Sequence, residues 1–571
     1  MPKAKTWTMA GAGAALALSL SARAGAEAPS AGLRWFPDRP VAWQEHDDGD
    51  VPKRPEENAL QDMEMTLTIR DGMVSEVDRI LSLEGATPAL DVNAADEVPC
   101  STWFCARIHR HPMTLEELLA GPPAGPPRLP LTVVKGKNEG AATGVEVVDA
   151  DKRKFLIKFD PPGRLGMTTS AEIIGNRVFH AAGYNVPGAH LLRLAPGDLF
   201  VARHATFKLF GVEKRTLTAA MLRRQLAPVA REPDGRFRAV AIPWIPGDSL
   251  GGFDMQSTRP DDPNDRIPHE RRRSVRASRV LYVWLSIFDP GPINTLDSYV
   301  ADRGRHYVRH NLIDFSCAFG SATSAVQGLH QDGQYVLEVG RTLGALFSLG
   351  LYHRPFQDQR VAYETMNRTY RAVGYLPAED FDPDAFRANR KNPAFMRLTE
   401  RDGYWGAKIV TSFSNERIDA LVAAAQLTDP DASYLRHALA VRRDIIGRRY
   451  LRAVAAVEDP EISEDGAAVC FHDLAIERGV AAAGEVSYQV QVSDGRGGVL
   501  SQYGQSSAGP RTCLPVVSSP TGTGYREVEI RTRFAAPDGG GAVTTSKPTR
   551  VHLRWRSQAA RFAVVGLERD D

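Results

Sequence analysis

Trp284-Leu-Ser-Ile-Phe-Asp289-Pro-Gly-Pro-Ile-Asn294-Thr-Leu-Asp297 is the stretch on which the reading of this chain turns. An apolar run ends in an aspartate, two prolines stiffen the turn after it, and an asparagine stands five residues on. A carboxylate fixed at the end of a buried segment can orient a hydroxyl group and accept its proton. An amide oxygen nearby is a hard donor suited to a small divalent cation. After a stretch that reads as a hairpin comes Asn311-Leu-Ile-Asp314-Phe-Ser316, a short apolar strand ending in a second acid. Asp289, Asn294 and Asp314 are therefore candidates for one site, with Asp289 as base and Asn294 and Asp314 as metal ligands.

Upstream, Thr132-Val-Val and Val145-Glu-Val-Val flank a glycine-bearing hairpin, Gly136-Lys-Asn-Glu-Gly140-Ala-Ala-Thr-Gly144. Backbone N–H groups in such a loop can approach phosphate oxygens with no side chain in the way, which makes Gly140 and Gly144 candidates for nucleotide contact. A third strand, Lys154-Phe-Leu-Ile-Lys158-Phe159, is followed by a helix expected over Thr169 to Ala182, with Ser170 near its start and Gly183 at its end. That helix sets Glu172, Gly175, Asn176 and Phe179 on one stripe, so the Glu172 carboxylate can face the sheet and hold Lys158 extended toward phosphates. A strand over Phe237 to Ile242 leads into Trp244-Ile-Pro-Gly247, where a hinge would offer backbone groups to adenine. From about Arg271 to Tyr450 the pattern is mostly helical. A lone Lys and Glu would mean little. Glycine hairpin, strand with Lys, helix with inward Glu, hinge and helical lobe, in this order, is the order of a protein kinase.

The expected fold is thus α+β: a bilobal protein-kinase-like fold with a small β-rich N-lobe at 131–247 and a helical C-lobe at 248–460. An all-β sandwich follows at 461–571, because Val486, Tyr488, Val490 and Val492 alternate, as do Val528, Ile530, Thr532 and Phe534, and Val551, Leu553 and Trp555. The implied cofactors are ATP and Mg²⁺ or Mn²⁺, with a protein or small molecule as acceptor. Departures set up a second reading. Ser/Thr kinases carry a Lys two residues after the catalytic Asp; here Gly291 stands there between Pro290 and Pro292, and Ile287-Phe288 replaces the usual His-Arg. Losing a cation at the transferring group costs several kcal/mol unless another side chain replaces it. A basic residue that swings in, such as Arg303 or Arg305, favours catalysis. A closed site favours an inactive pseudokinase serving as an envelope or secreted scaffold.

The chain resembles a group of uncharacterised exported bacterial proteins with an atypical kinase-like domain, distantly similar to HipA-type and spore-coat-CotH-type kinases. The resemblance runs over roughly residues 60 to 460, on Glu97-Val-Pro-Cys-Ser-Thr-Trp-Phe, Phe155-Leu-Ile-Lys-Phe-Asp-Pro-Pro, Gly183-Tyr-Asn-Val-Pro, His269-Glu-Arg-Arg-Arg, Asn294-Thr-Leu-Asp, Leu312-Ile-Asp-Phe, Asp402-Gly-Tyr-Trp and Arg442-Arg-Asp-Ile-Ile. It implies Lys158 on nucleotide phosphates, Glu172 as its partner, Asp289 as base, and Asn294 and Asp314 on metal.

Bulk properties narrow the rest. The 571 residues exceed one core and suggest three or four units. Lys and Arg number 70 against 69 acids, a net charge of +1 that offers no general attraction to nucleic acid. Residues 1–26 read as a secretory signal peptide: Lys3 and Lys5, an apolar run from Met9 to Leu20, then Ala22-Arg23-Ala24-Gly25-Ala26. Residues 27–60 read as an extended arm, and 61–130 as an N-terminal extension packing on the kinase-like domain, with a helix around Val74 to Leu83 and a Pro/Gly linker at its end. Leu343 to Tyr352 is too short to span a bilayer and reads as a core helix, so no membrane span is expected after signal cleavage. A periplasmic or extracellular location permits a Cys470–Cys513 disulfide. Cys100 and Cys105 could bridge each other, or with His109 and His111 bind a metal; Cys317 is left over. Arg266, Arg271, Arg272, Arg273, Arg276 and Arg279 read as a solvated helix face partly paired with Glu270. Export raises a supply question, since ATP is scarce outside the cytoplasm: the protein meets nucleotide in a host or neighbour, or the fold has become a binder.

Overall fold

Alternating apolar residues build the first sheet of the computed structural model, which describes residues 35–60, 63–74, 87–137, 143–209, 213–338, 346–348, 353–516, 523–535 and 543–571. Its strands are β1 (Leu131–Lys137), β2 (Gly144–Val148), β3 (Lys154–Phe159), β4 (His190–Leu194), β5 (Leu199–Leu209), β6 (Glu213–Thr216) and β7 (Phe237–Pro243). They lie in the order β4-β7-β3-β2-β1-β5-β6. Neighbours are antiparallel except β1 and β5, which run parallel. Because side chains alternate across a strand, Phe155, Ile157 and Phe159 of β3 join one core with Val145, Val147 and Leu222. Lys158 faces the other side, toward α1 (Met167–Ala182). The expected helix thus begins two residues earlier than its sequence signals, and it ends at Gly183, whose φ of 134° suits glycine. Beyond β6 lies α2 (Ala219–Leu226), whose Leu222 and Leu226 are buried.

Among the described residues, the stretch from Arg271 to Tyr450 is less helical than its sequence pattern predicts. α3 (Ser278–Leu285) is followed by a hairpin of β9 (Thr295–Asp302) and β10 (Arg305–Leu312), extended by the two-residue β8 (Asp248–Ser249). Among the described residues between Leu312 and Thr399, α4 (Arg360–Thr369) is the one helix longer than a single turn or two. Pro355, Pro377, Pro383 and Pro393 punctuate that stretch, and proline removes the N–H a helix interior needs. α5 (Glu400–Val410) and α7 (Asp429–Tyr450) then pack with α3 and with each other, and α6 (Asn415–Ala424) packs on α7 and on α1. Trp284 Nε1 donates to the Leu439 carbonyl at 2.9 Å, and Arg442 donates to the carbonyls of Val283 and Trp284.

Among the described residues, the C-terminal region holds two further sheets. β11 (Val457–Ile462), β12 (Ala468–Asp473) and β15 (Arg511–Pro515) form one; β14 (Val499–Ser506), β13 (Val486–Asp494), β16 (Tyr525–Phe534), β18 (Thr549–Arg556) and β19 (Arg561–Arg569) form the other, with β17 (Thr544–Thr545) paired to β16. The alternation seen in sequence is the burial pattern: Val486, Tyr488, Val490 and Val492, and Val528, Ile530, Thr532 and Phe534, all face inward. The molecule is a mixed α+β structure with several sheets.

Cys470 and Cys513 stand opposite each other on β12 and β15 and form a disulfide, as do Cys100 and Cys105. The second bridge corrects the metal alternative at Cys100, Cys105, His109 and His111, because both sulfurs are taken up in it. His109 is instead buried beside Glu97, with 3.7 Å between Nε2 and Oε2. The basic run is also corrected. Arg272, Arg273 and Arg276 are wholly buried, paired with Glu45, Asp96 and Asp402 rather than hydrated. Of the apolar stretch Leu343 to Tyr352, Leu346 and Phe347 are described and are exposed, at 67% and 81%, so they form no core there. Cys317 is buried and unbridged. The expected signal peptide, Gly140, and the helix expected beyond Val74 lie outside the described residues. Among the described residues no helix is long and apolar enough to cross a membrane.

Candidate functional site

Lys158 lies in the middle of the first sheet, opposite Gly144 of β2 and Val240 of β7, and is 1% exposed. Its Nζ donates to Glu172 Oε2 at 2.9 Å and to Asp314 Oδ1 at 2.7 Å. Burial works against the ammonium charge, but the carboxylates of Asp314 and Glu172 outweigh it and hold the Lys158 pKa above its ordinary value. Burial pushes the Glu172 carboxyl up, and Lys158 pulls it back. Two charges buried this deeply persist only because they are paired.

Helix α1 is held at this point by its N-terminus and by its inner face. Gly166 at the N-cap has no side chain to offer, so Asp160 at the close of β3 does the capping. Its carboxylate accepts the N–H groups of Gly166 at 2.7 Å and Thr169 at 2.9 Å. Burial pushes the Asp160 pKa up to about 6 despite these bonds and nearby Arg238. On the inner face, Gly175 lets the Phe315 side chain come close: a Cβ at 175 would stand 2.6 Å from that of Phe315. Phe179 stacks on the Phe315 ring at 4.8 Å. The helix therefore seats on the residue after Asp314, which brings that carboxylate to Lys158. Asp314 adopts φ of 60°, and its Oδ1 also accepts from the Ser316 hydroxyl.

The loop after α3 starts from Ser286, which is left-handed at φ 54° and turns the chain out of the helix. Asn294 Nδ2 donates to the Asp289 carbonyl at 2.7 Å and to Asp289 Oδ2 at 3.2 Å. The Ile313 N–H donates to the Asn294 carbonyl at 3.0 Å, so this loop is tied to the chain one residue before Asp314. Lys158, Glu172 and Asp314 thus meet directly, and Asp289 and Asn294 form a second cluster joined to the first through residue 313. Gly144 is the strand residue facing Lys158. Trp244, at the expected hinge, follows β7 and is 49% exposed, with its N–H bonded to the Lys154 carbonyl at 3.1 Å.

Arg390 was not foreseen from sequence. The Asn389 N–H donates to the Phe288 carbonyl at 2.6 Å, and Asn392 Nδ2 to the Pro290 carbonyl at 3.4 Å, laying this segment along the loop. Arg390 Nη2 comes to 3.6 Å from Asp289 Oδ1. A Cβ on Gly291 would stand 3.4 Å from the same nitrogen. Arg305 is paired with Asp48 at 2.7 Å instead, and Arg303 sits in the β9–β10 turn. The one sequence clue to Arg390 was negative: Gly291 at the position where the Ser/Thr kinase pattern carries a lysine.

No protein-family model and no curated protein matches this chain. Among solved structures it has a weak likeness to the crystal structure of the Golgi casein kinase, over 72% of this chain and 94% of that one, at 9% identity and a TM-score of 0.29. A likeness of that size assigns no residue a role.

Proposed function

We propose that this chain is an exported kinase-like phosphotransferase that binds ATP with Mg²⁺ or Mn²⁺ and moves a phosphoryl, or alternatively a nucleotidyl, group to a protein or small-molecule acceptor. The observation that carries this reading is Lys158, buried between Glu172 and Asp314 at 2.9 and 2.7 Å. A lysine fixed by a helix carboxylate and facing a metal-loop aspartate is the phosphate-positioning arrangement of protein kinases. In this reading the bilobal division stands as residues 131–247 and 248–460, the sheets at 461–571 are a sandwich module, and the two cysteine bridges fit an oxidising compartment.

Asp289 accepts the proton of an acceptor hydroxyl as its oxygen bonds to the γ-phosphorus; the bond to the β-phosphate oxygen breaks, and ADP leaves. Asn294 holds Asp289 by its side-chain amide. Arg390 supplies the cation that Gly291 does not, facing the charge that develops on the transferring group. Asp314 and Asn294 would hold the metal. Their donor set suits Mg²⁺ or Mn²⁺, which take one or two protein oxygens together with substrate phosphates. The bound ion would screen the phosphate charge. The second reading, a pseudokinase, is favoured by Gly291 lying buried between Pro290 and Pro292, where the loop itself offers no cation.

Melting temperature with ATP plus Mg²⁺ or Mn²⁺ tests the proposal. A ligand that binds only the folded state raises it in proportion to the logarithm of its concentration. The expected result is a metal-dependent rise that Asp314→Ala abolishes. No rise with any nucleotide and metal would sink the nucleotide reading and leave a scaffold.

A further inference from the structure

The side chain that reaches Asp289 also lines a cavity. Its volume is about 590 Å³, and Arg390 forms part of its wall together with Phe386, Phe395 and Tyr450. That size suits a metabolite-sized ligand, since small-molecule sites run from about 300 to 1,000 Å³. The lining is cationic: Arg279, Arg387, Arg390, Lys391, Arg449 and Lys547 all face it. Carboxylates neutralise part of this charge. Arg449 is held by Glu400 at 2.9 and 3.0 Å and by Asp384 at 2.6 Å, and Glu338 and Asp571 also line the wall. Arg387 differs, because its guanidinium donates to the carbonyls of Asp384 at 2.7 Å and Phe386 at 2.9 Å. Arg279 likewise donates to the carbonyls of Pro383 and Phe386. Carbonyls satisfy the N–H groups without cancelling the charge, so two guanidinium charges remain to act on whatever enters. Lys547 brings a further cation from the C-terminal region to the rim, on an exposed side chain.

We infer that this cavity is the acceptor site and that it takes a small hydroxyl compound bearing a phosphate or carboxylate. The anionic end meets Arg387 and the cations around it, and the hydroxyl end points past Arg390 to Asp289. Guanidinium groups suit both anions because their fork matches planar or tetrahedral oxygens. The acceptor role rests on the phosphotransferase reading above; the anion site does not.

Calorimetric titration of the full chain with glycerol 3-phosphate and with glycerate, beside uncharged glycerol, tests it. Mn²⁺·ATP is titrated in parallel. At least one of the two anions binds and glycerol does not, and Arg387→Gln weakens that binding about tenfold, the size expected for one charge-assisted hydrogen bond. Lys547→Glu, at an exposed position where misfolding is not at issue, weakens it in the same direction. Binding of neither anion, or equal binding by wild type and both variants, overturns the site while the nucleotide reading stands on its own titration. Anion binding without Mn²⁺·ATP binding upholds the site and overturns its role as acceptor pocket.

Discussion

Arg390 shows how a single side chain can decide between two readings of one loop. In water an arginine 3.6 Å from a carboxylate is worth little, but this one is 8% exposed and its partner 24%, so its field is poorly screened. It lies beside Gly291: a Cβ there would meet the guanidinium at 3.4 Å, in van der Waals contact, so the distant arginine occupies the space next to the glycine. If Arg390 faces the transferring phosphoryl group, Arg390→Met lowers kcat about 100-fold, the scale of losing one preorganised donor or charge in the transition state. On the proposed reading KM for ATP changes little, because Lys158, Asp314 and Asn294 would still position the nucleotide. Arg390→Lys recovers part of the rate, since it restores charge but not the fork. Steady-state kinetics of ATP turnover read this out, with a melting curve to check folding; an unchanged kcat in the methionine variant would remove Arg390 from the chemistry.

At the scale of elements, α1 is the piece that assembles the site, and Gly175 is its tightest point. Glycine inside a helix costs about 1 kcal/mol relative to alanine, so on propensity alone Gly175→Ala would stabilise. The Cβ contact of 2.6 Å with Phe315 reverses that, because Phe315 is fully buried and stacked on Phe179 and has nowhere to retreat. Overpacking of this kind costs about 1–3 kcal/mol. The expected outcome is a net loss of about 1 kcal/mol in urea unfolding, together with weaker binding of nucleotide in the proposed site as Phe315 pulls Asp314 away from Lys158; a stabilised variant would show that the helix and the Asp314 segment are not in register. Much of this was legible beforehand. The glycine, the inward glutamate and the helix end at Gly183 are local signals, and period-2 alternation marked β3 and the C-terminal strands. What stayed hidden depended on contacts far apart in sequence. Arg273 meets Asp402 across 129 positions, and a run of arginines looks the same in sequence whether it is hydrated or buried against carboxylates from elsewhere. Arg390 was hidden for the same reason, in a proline-broken stretch without periodicity. Asp160 capped α1 from outside the helix, where a search for an N-cap residue does not look.

Across the whole molecule, a buried network ties the last strand to the first half of the chain. Arg569 near the end of β19 donates to Asp96 at 2.5 Å and to Glu458 at 2.7 Å. Asp96 also pairs with Arg273 at 2.9 Å and Arg401 at 2.8 Å, while Glu458 accepts from Tyr404 and Lys408. The hydrophobic core is equally continuous, running from Val98 through α3 to Leu567. At the far side of β19, Gly566 leaves room for the Phe36 ring of the N-terminal arm. Burial alone would raise the Asp96 pKa, but Arg273, Arg401 and Arg569 outweigh it and hold the carboxyl well below its ordinary value. A carboxylate depressed in the folded state adds stability that is complete above its unfolded pKa of about 3.9 and is lost as pH falls through the depressed value. Arg569→Met strips one cation from Asp96 and from Glu458 at once. Removing one partner of a buried pair costs about 3–5 kcal/mol, so the variant should unfold at clearly lower urea concentration at pH 7. With two arginines left instead of three, the Asp96 pKa moves back up, and the acid-unfolding midpoint moves to higher pH. The two shifts belong together, because both come from the same lost charge. A variant with lower urea stability but an unmoved acid midpoint would mean that Arg569 acts by packing alone, and that the C-terminal sheets are held to the rest by their apolar core rather than by these charges.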